Sequence, residues 1–177
     1  TRLAGALPGP AEGQGVAHRT LYLYLSLDRA ATERLNGFAR QARVTPNTVL
    51  QAAWLLLLQR YTGQQTVAFG ATVSGRPSEL QGIEQQIGLF INTLPVIGTP
   101  HPERTVGQWI DEVQALNLRL REVEYTPLAD VQRWAGHSGE ALFDTLLVFE
   151  NYPVAQALEE GNCSALKFSS ISNHDQT

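Results

Sequence analysis

Cysteine, basic charge and long apolar runs are all scarce in this sequence. The single cysteine, Cys163, excludes an internal disulfide and is compatible with a reducing compartment. Thirteen lysines and arginines against 17 acidic residues give a net charge of −4, which argues against a nucleic-acid partner because no basic excess is available to hold phosphates. The longest apolar run, Ala52–Leu58, is far shorter than the roughly 20 residues of a membrane span. We therefore expect a buried helix at this run, no membrane partner, and a cytoplasmic protein.

The common catalytic and metal-binding motifs are also absent from the sequence. There is no HExxH motif, no cysteine pair and no histidine cluster, which argues against a metal site. Ser74-Gly75 is not part of a GxSxG nucleophile elbow, and the glycines around it lack the spacing of a phosphate-binding loop. The four histidines are scattered along the chain and are His18, His101, His137 and His174. The sequence predicts no catalytic residue, no metal ligand and no bound cofactor in this chain.

The length and composition are those of one globular domain. The chain has 177 residues, of which 43% are hydrophobic and 17% charged, enough to bury a sizeable core. Strand and helix patterns alternate in the order β-α-α-β, a turn, then β-α-α-β-β. Mixed strands connected by helices predict an α/β fold in which helices cover a mixed sheet.

Helix start and stop signals are clear in the first half of the chain. Asp28 is placed to cap a first helix. Thr45-Pro46 begins a second helix, with Thr45 as N-cap and Pro46 at the first helical position, where its missing N–H costs little. Gly63 follows as a left-handed C-cap.

The second half of the chain carries two further helix signals. Thr105 and Gln108 have the spacing of a capping box and open a long amphipathic helix. Thr126-Pro127 repeats the earlier Thr-Pro start and predicts a short helix that ends at Gly136.

Strand predictions rest on alternation and on short apolar runs. Arg19–Leu27 alternates leucine with polar or aromatic residues, which predicts a strand with its leucines inward. Asp144–Glu150 predicts a compact apolar strand, and Leu166–Ile171 a final one. The segment Thr1–Ala17 is rich in glycine, alanine and proline, and we interpret it as a linker.

The stretch Phe69–Val96 is the centre of the predicted fold. Its first strand has small residues on one face, which predicts close packing of another backbone or of a narrow ligand. The loop after that strand places Arg76 just beyond a strand end, where ligands of open α/β sheets bind. Asn92 interrupts the second apolar strand. A buried amide needs hydrogen-bond partners, so Asn92 is either a structural bridge or a site residue.

These motifs resemble those of a known family. SGRPSEL and IGLFINTLPV are similar to a core motif of the condensation domains of non-ribosomal peptide synthetases. Three further stretches resemble the same family in the same order, and they are VTPNTVLQAAWLLLLQRYTGQQTVAFGATVSGRP, YTPLADVQRWAG and FDTLLVFENYP. The resemblance covers the second half of such a domain. Residues 18–177 are thereby expected to form its C-terminal lobe, incomplete at the C-terminus, with residues 1–17 leading in from an N-terminal lobe.

The resemblance implies a fold, an activity and a set of partners. The fold would be one lobe of a chloramphenicol-acetyltransferase-like pair, with a tunnel between the two lobes. Donor and acceptor carrier domains would insert their phosphopantetheine arms into this tunnel, where the acceptor amine attacks the donor thioester. An adjacent adenylation domain would be a further partner. The catalytic histidine motif of the family, HHxxxDG, is absent from this chain. By position, the tunnel wall would include Ser74, Gly75, Arg76, Asn92 and Thr93.

Three other interpretations remain open from the sequence. An epimerisation domain has the same fold but inverts a Cα centre. A free-standing acyltransferase of the same superfamily would transfer to a soluble alcohol or amine. A non-catalytic module that docks carrier domains would also lack a histidine motif.

Overall fold

The computed structural model describes residues 23–74 and 82–150 of the chain. These residues form four α-helices, three strands and one 3₁₀ turn. In chain order the elements are α1 (Arg29–Gln41), α2 (Pro46–Thr62), β1 (Val67–Val73), the 3₁₀ turn (Ile83–Gln85), β2 (Asn92–Gly98), α3 (Val106–Arg121), α4 (Leu128–Trp134) and β3 (Leu146–Leu147).

The predicted start of α1 and both predicted ends of α2 are confirmed. The Asp28 carboxylate accepts a hydrogen bond of 2.6 Å from a backbone N–H in the first turn of α1. The Thr45 hydroxyl accepts one of 3.1 Å from the Thr48 N–H. Gly63 ends α2 with φ of 68°, a left-handed conformation in which glycine has no Cβ penalty.

The start of α3 is also as predicted. The Thr105 hydroxyl accepts from the backbone N–H of Gln108 at 3.3 Å. The side-chain oxygen of Gln108, Oε1, accepts from the backbone N–H of Thr105 at 3.0 Å. This capping box satisfies two backbone donors at the helix start. The apolar side of this amphipathic helix turns toward the core in the first half of α3, where the buried residues are Trp109, Ile110 and Val113.

The start of α4 differs from the prediction by one residue. The helix begins at Leu128, Pro127 stands at the N-cap, and no side chain caps the helix. The Pro127 carbonyl accepts the first helical hydrogen bonds, from the N–H groups of Asp130 and Val131 at 2.9 and 3.2 Å. Thr126 is therefore outside the helix. Gly136 follows α4 with φ of 75°, in agreement with the predicted stop.

The three strands form one mixed sheet in the order β2-β1-β3. β1 and β2 are antiparallel, with Val67 opposite Gly98 and Val73 opposite Asn92. β3 lies beside β1 on its other edge and pairs with it in parallel over two residues. The mixed sheet covered by helices is the predicted fold class.

One face of the sheet packs against α2 and α3 and forms the core. Its central residues are Phe69 and Val96, which are opposite each other in the β1–β2 ladder and fully buried. Leu55 of α2 is fully buried against them. The Trp109 indole N–H donates to the Ala52 carbonyl at 3.1 Å and joins the two helices. Only one face of the apolar run Ala52–Leu58 is buried, because Leu56 and Leu57 are exposed.

Two glycines allow close approach to the sheet. A Cβ on Gly98 would lie 2.7 Å from Leu55 and 3.1 Å from Trp109, so α2 and α3 could not pack as closely. On the opposite face, a Cβ on Gly70 would overlap the Phe143 ring. At Gly70 the small face of β1 thus packs against a side chain of the same chain.

One strand prediction is wrong in the described residues, and a second is right in position but too long. Residues 23–27 form no strand, and Leu23 and Leu25 are 96% and 89% exposed. Alternation creates an apolar face, but it does not supply the neighbouring strand that the backbone groups of a strand need. β3 contains only Leu146–Leu147 of the predicted Asp144–Glu150, the two residues that pair with β1. The predicted strand Leu166–Ile171 and the predicted linker lie outside the described residues.

No helix among the described residues is long and apolar enough to cross a bilayer.

Candidate functional site

A cleft of about 180 Å³ lies at the end of β1, between the first turns of α2 and the second half of α3. Ala71, Leu94 and Val96 contribute apolar surface from the sheet. Most of the polar side chains in the lining are neutral, and they include Thr45, Asn47, Gln51, Ser74, Gln114 and Asn117. Two residues of opposite charge, Arg121 and Glu124, complete the lining. We call this cavity the α2–α3 cleft.

Thr48 is the centre of a hydrogen-bond network in the wall of the cleft. Its hydroxyl is buried and donates to the side-chain oxygen of Gln114, Oε1, at 2.7 Å. A hydroxyl has one hydrogen, so in the 2.9 Å contact between the Thr45 and Thr48 hydroxyls the donor is Thr45. The Asn117 amide also donates to Thr48 Oγ1, at 3.4 Å. This network joins the first turn of α2 to the second half of α3.

Gln51 is the one residue of the cleft whose side chain is buried and incompletely paired in the described structure. Its residue exposure is 4%. Its Nε2 donates to Asn47 Oδ1 at 3.4 Å, while its Oε1 has no hydrogen-bond partner among the described residues. A buried acceptor without a donor costs about 1–3 kcal/mol of folding free energy. The oxygen is itself enclosed by protein atoms, so solvent does not offset this cost.

Asn92 lies at the start of β2, on the same sheet face as the helices because it is opposite Val73. Its Nδ2 donates both hydrogens to backbone carbonyls, to Glu124 at 2.8 Å and to Thr126 at 2.7 Å. These two bonds join the first residue of β2 to the segment between α3 and α4. The amide has the hydrogen-bond partners that a half-buried side chain requires.

The predicted site residues fall at different places. Ser74 is exposed and lines the α2–α3 cleft. Asn92 and Thr93 do not line the cleft. Thr93, which pairs with Thr72, lies on the sheet face that points away from α2 and α3. Gly75 and Arg76 lie outside the described residues. The role of these five residues in a tunnel stays a prediction.

The polar network of the cleft was missed from the sequence. Its members form two pairs three residues apart, Thr45 with Thr48 at the start of α2 and Gln114 with Asn117 on α3, and such pairs share one face of a helix. Uncharged polar residues at this spacing are the signal that could have found them.

The described residues contain no group of three or more side chains able to hold a metal ion. His137 Nδ1 lies 3.1 Å from the Glu140 carboxylate, three residues away in the surface loop after α4. This pair is part of a local turn. It does not line the cleft and takes no part in the hydrogen bonds of the Asn92 side chain.

Comparison with known proteins places the chain in a family. The family model of the condensation domain matches residues 6–177. A linear gramicidin synthase from Brevibacillus parabrevis is 44% identical over 172 residues, which cover 92% of this chain. Chondramide synthase from Chondromyces crocatus is 44% identical over 148 residues, or 83% of this chain. The chain spans only 3% and 4% of these two proteins.

Solved structures give the same fold. A four-domain nonribosomal peptide synthetase superposes with a TM-score of 0.66 at 15% identity, over 75% of this chain and 10% of that one. The first condensation domain of the calcium-dependent antibiotic synthetase superposes with a TM-score of 0.59 at 21% identity, over 68% of this chain and 26% of that domain structure. The mixed sheet with helices is therefore part of the chloramphenicol-acetyltransferase-like fold of these domains, and this chain belongs to the condensation-domain family.

Proposed function

We propose that this chain is the C-terminal lobe of a condensation domain that forms peptide bonds in a non-ribosomal peptide synthetase. The acceptor amine, tethered as an aminoacyl thioester, would attack the donor acyl or peptidyl thioester. Residues 18–177 would form the lobe, and residues 1–17 would lead in from an N-terminal lobe. The observation that carries the proposal is the family match over residues 6–177.

The chemistry of this lobe would be positional. The chain has no His-His pair and hence no HHxxxDG motif, so the general base would belong to the N-terminal lobe. Holding two tethered reactants at the reacting distance converts a bimolecular reaction into an effectively unimolecular one and supplies a large part of the rate. We propose that Ser74, Gly75, Arg76, Asn92 and Thr93 form or support one wall of the tunnel where this occurs.

The proposed partners follow from the multidomain relatives. Donor and acceptor carrier domains would bring phosphopantetheine arms, and an adenylation domain would lie beside them in the same synthetase. The four-domain structure that this chain resembles is consistent with such neighbours. We further propose that the chain acts in the cytoplasm as part of secondary-metabolite biosynthesis.

The test compares the chain alone with the intact condensation domain that contains it. Carrier domains loaded with a donor and an acceptor aminoacyl group are incubated with each protein, and the carrier-bound products are identified by mass spectrometry. We expect a dipeptide on the acceptor carrier with the intact domain and only the uncatalysed background with the 177-residue chain. Dipeptide formation by the chain alone would contradict the proposed division of labour.

Two other results would overturn the proposal itself. Inversion of the donor Cα without peptide-bond formation would identify an epimerisation domain. Equally fast transfer to a soluble amine or alcohol, with no acceptor carrier present, would identify a free-standing acyltransferase.

A further inference from the structure

A single side-chain amide holds the backbone on both sides of Tyr125. Asn92, the first residue of β2, donates from Nδ2 to the Glu124 carbonyl at 2.8 Å and to the Thr126 carbonyl at 2.7 Å. These carbonyls belong to the residues immediately before and after Tyr125. The Thr126 N–H also donates to the Val123 carbonyl at 2.9 Å. The backbone at Tyr125 is therefore tied to the sheet, and we call this arrangement the Asn92 clamp.

The side chain that the clamp positions is exposed. Tyr125 is 66% exposed, so burial in the core does not explain why its backbone is held. A tyrosine has only two rotatable side-chain bonds, and its ring has an apolar face and a polar hydroxyl. On a fixed backbone such a ring loses little conformational entropy when another molecule contacts it. Leu89 and Ile91, which lead into Asn92, are also exposed, and apolar groups exposed together are typical of a contact surface.

We propose that Tyr125 contacts the substrate in the proposed condensation reaction and that Asn92 is its positioning residue. The ring packs against the aliphatic part of a carrier-tethered reactant, and Asn92 acts on the reaction through this ring. An acyl thioester combines methylene and carbonyl groups, which suit an apolar ring face and a hydroxyl donor. The substrate contact rests on the proposed function, whereas the clamp itself rests on the hydrogen bonds alone.

The clamp is tested first, by backbone NMR relaxation of the 177-residue chain without any reaction. We expect the Tyr125 amide to be rigid in the unmodified chain, with an order parameter of about 0.85, and to fall below about 0.6 in Asn92→Ala. The control, Asn36→Ala at an exposed position of α1, should leave this order unchanged. Relaxation reports on the folded molecules, so a loss of stability alone would not produce the change. Equal order at Tyr125 with and without the Asn92 amide would overturn the clamp.

The substrate contact is tested in the intact condensation domain, with donor and acceptor carriers loaded as above and present at saturation. Tyr125→Ala should slow single-turnover dipeptide formation about tenfold and leave the urea midpoint unchanged, because the side chain is exposed. Tyr125→Phe keeps the ring and should react at nearly the unmodified rate. The matched control is Tyr61→Ala, which removes a tyrosine that is 73% exposed near the end of α2 and should not change the rate.

A double variant shows whether Asn92 acts through Tyr125. Asn92→Ala alone should slow the reaction of the folded molecules about tenfold. In the Tyr125→Ala background the same change should cause no further loss of rate, because two residues that act as one unit are not additive.

Four results would overturn the proposal. An unmodified rate for Tyr125→Ala would show that the ring does not contact the reactant, and an equal loss in Tyr125→Phe would show that the ring face is not the contact group. A lower urea midpoint for Tyr125→Ala with a constant rate per folded molecule would show that the ring packs within the domain. Effects of Asn92→Ala and Tyr125→Ala that multiply would show that Asn92 does not act through Tyr125.

Failure of the proposed function gives a different result. If the unmodified intact domain forms no dipeptide, the proposed function is wrong and the substrate role of Tyr125 is wrong with it. The relaxation measurement still decides whether Asn92 holds the backbone at Tyr125.

Discussion

Replacing Asn92 by alanine removes the two hydrogen bonds that join β2 to the segment between α3 and α4. Both donors of the amide are in use, at 2.8 Å to the Glu124 carbonyl and 2.7 Å to the Thr126 carbonyl. A neutral hydrogen bond contributes about 0.5–1.5 kcal/mol net to folding. We therefore expect Asn92→Ala to lower the free energy of unfolding by about 1–3 kcal/mol.

The assay is urea unfolding of the 177-residue chain followed by circular dichroism. With an m-value of about 2 kcal/mol per molar urea, the midpoint should fall by about 0.5–1.5 M while the slope stays constant. The control is Asn36→Ala, at an exposed position of α1 whose side chain makes no hydrogen bond to the residues that the structure describes. Its midpoint should stay the same or rise slightly, because alanine favours a helix. An unchanged midpoint for Asn92→Ala would refute the bridging role.

The condensation rate of the intact domain separates bridging from a tunnel role. A tunnel residue should slow single-turnover condensation by about tenfold or more when truncated, or about 1.4 kcal/mol of activation free energy. Ile110→Ala provides the comparison, because this side chain is buried in the core and does not line the cleft. Its loss should cost about 2–5 kcal/mol of stability while the rate per folded molecule stays constant. If Asn92→Ala behaves like Ile110→Ala in both assays, Asn92 acts through stability alone.

Two pairs of substitutions test the packing and the capping. Gly98→Ala places a methyl group against Leu55 and should destabilise the fold by about 1–3 kcal/mol. The control is Gly107→Ala, with open space around it in α3, which should be neutral or stabilising by up to about 1 kcal/mol. Equal thermal midpoints for the two variants would contradict the close packing. Thr105→Ala should cost about 1 kcal/mol through loss of the capping box, and Thr126→Ala should cost less in the same denaturation assay because Thr126 caps no helix.

Local signals predicted the helices well. Thr45 and Thr105 are placed by side-chain bonds that span only three residues, so the information for each cap is contained in one turn. The strands were predicted less well because a strand needs a partner that is distant in sequence. Leu25 alternates correctly and yet is exposed, and β3 extends only as far as its pairing with β1.

The candidate site was predictable only in part for the same reason. Asn92 stands out as an amide in an apolar strand, so its need for partners could be inferred. Its actual partners are 32 and 34 residues away, and no sequence pattern connects them to it. Gln51 follows the N-terminal turn of α2 and adjoins an apolar run, but its burial depends on tertiary packing that no local pattern encodes.

The two Thr-Pro pairs differ in their hydrogen-bond partners. Thr45 begins its helix in the expected way, since its hydroxyl accepts from the Thr48 N–H and its carbonyl from the N–H of Val49 at 3.3 Å. The same dipeptide at Thr126 begins no helix, and its carbonyl accepts from the Asn92 amide. An N-cap carbonyl normally accepts the first helical bond, and at α4 this role passes to Pro127. The first residue of β2 and the segment before α4 are therefore linked through the Thr126 carbonyl.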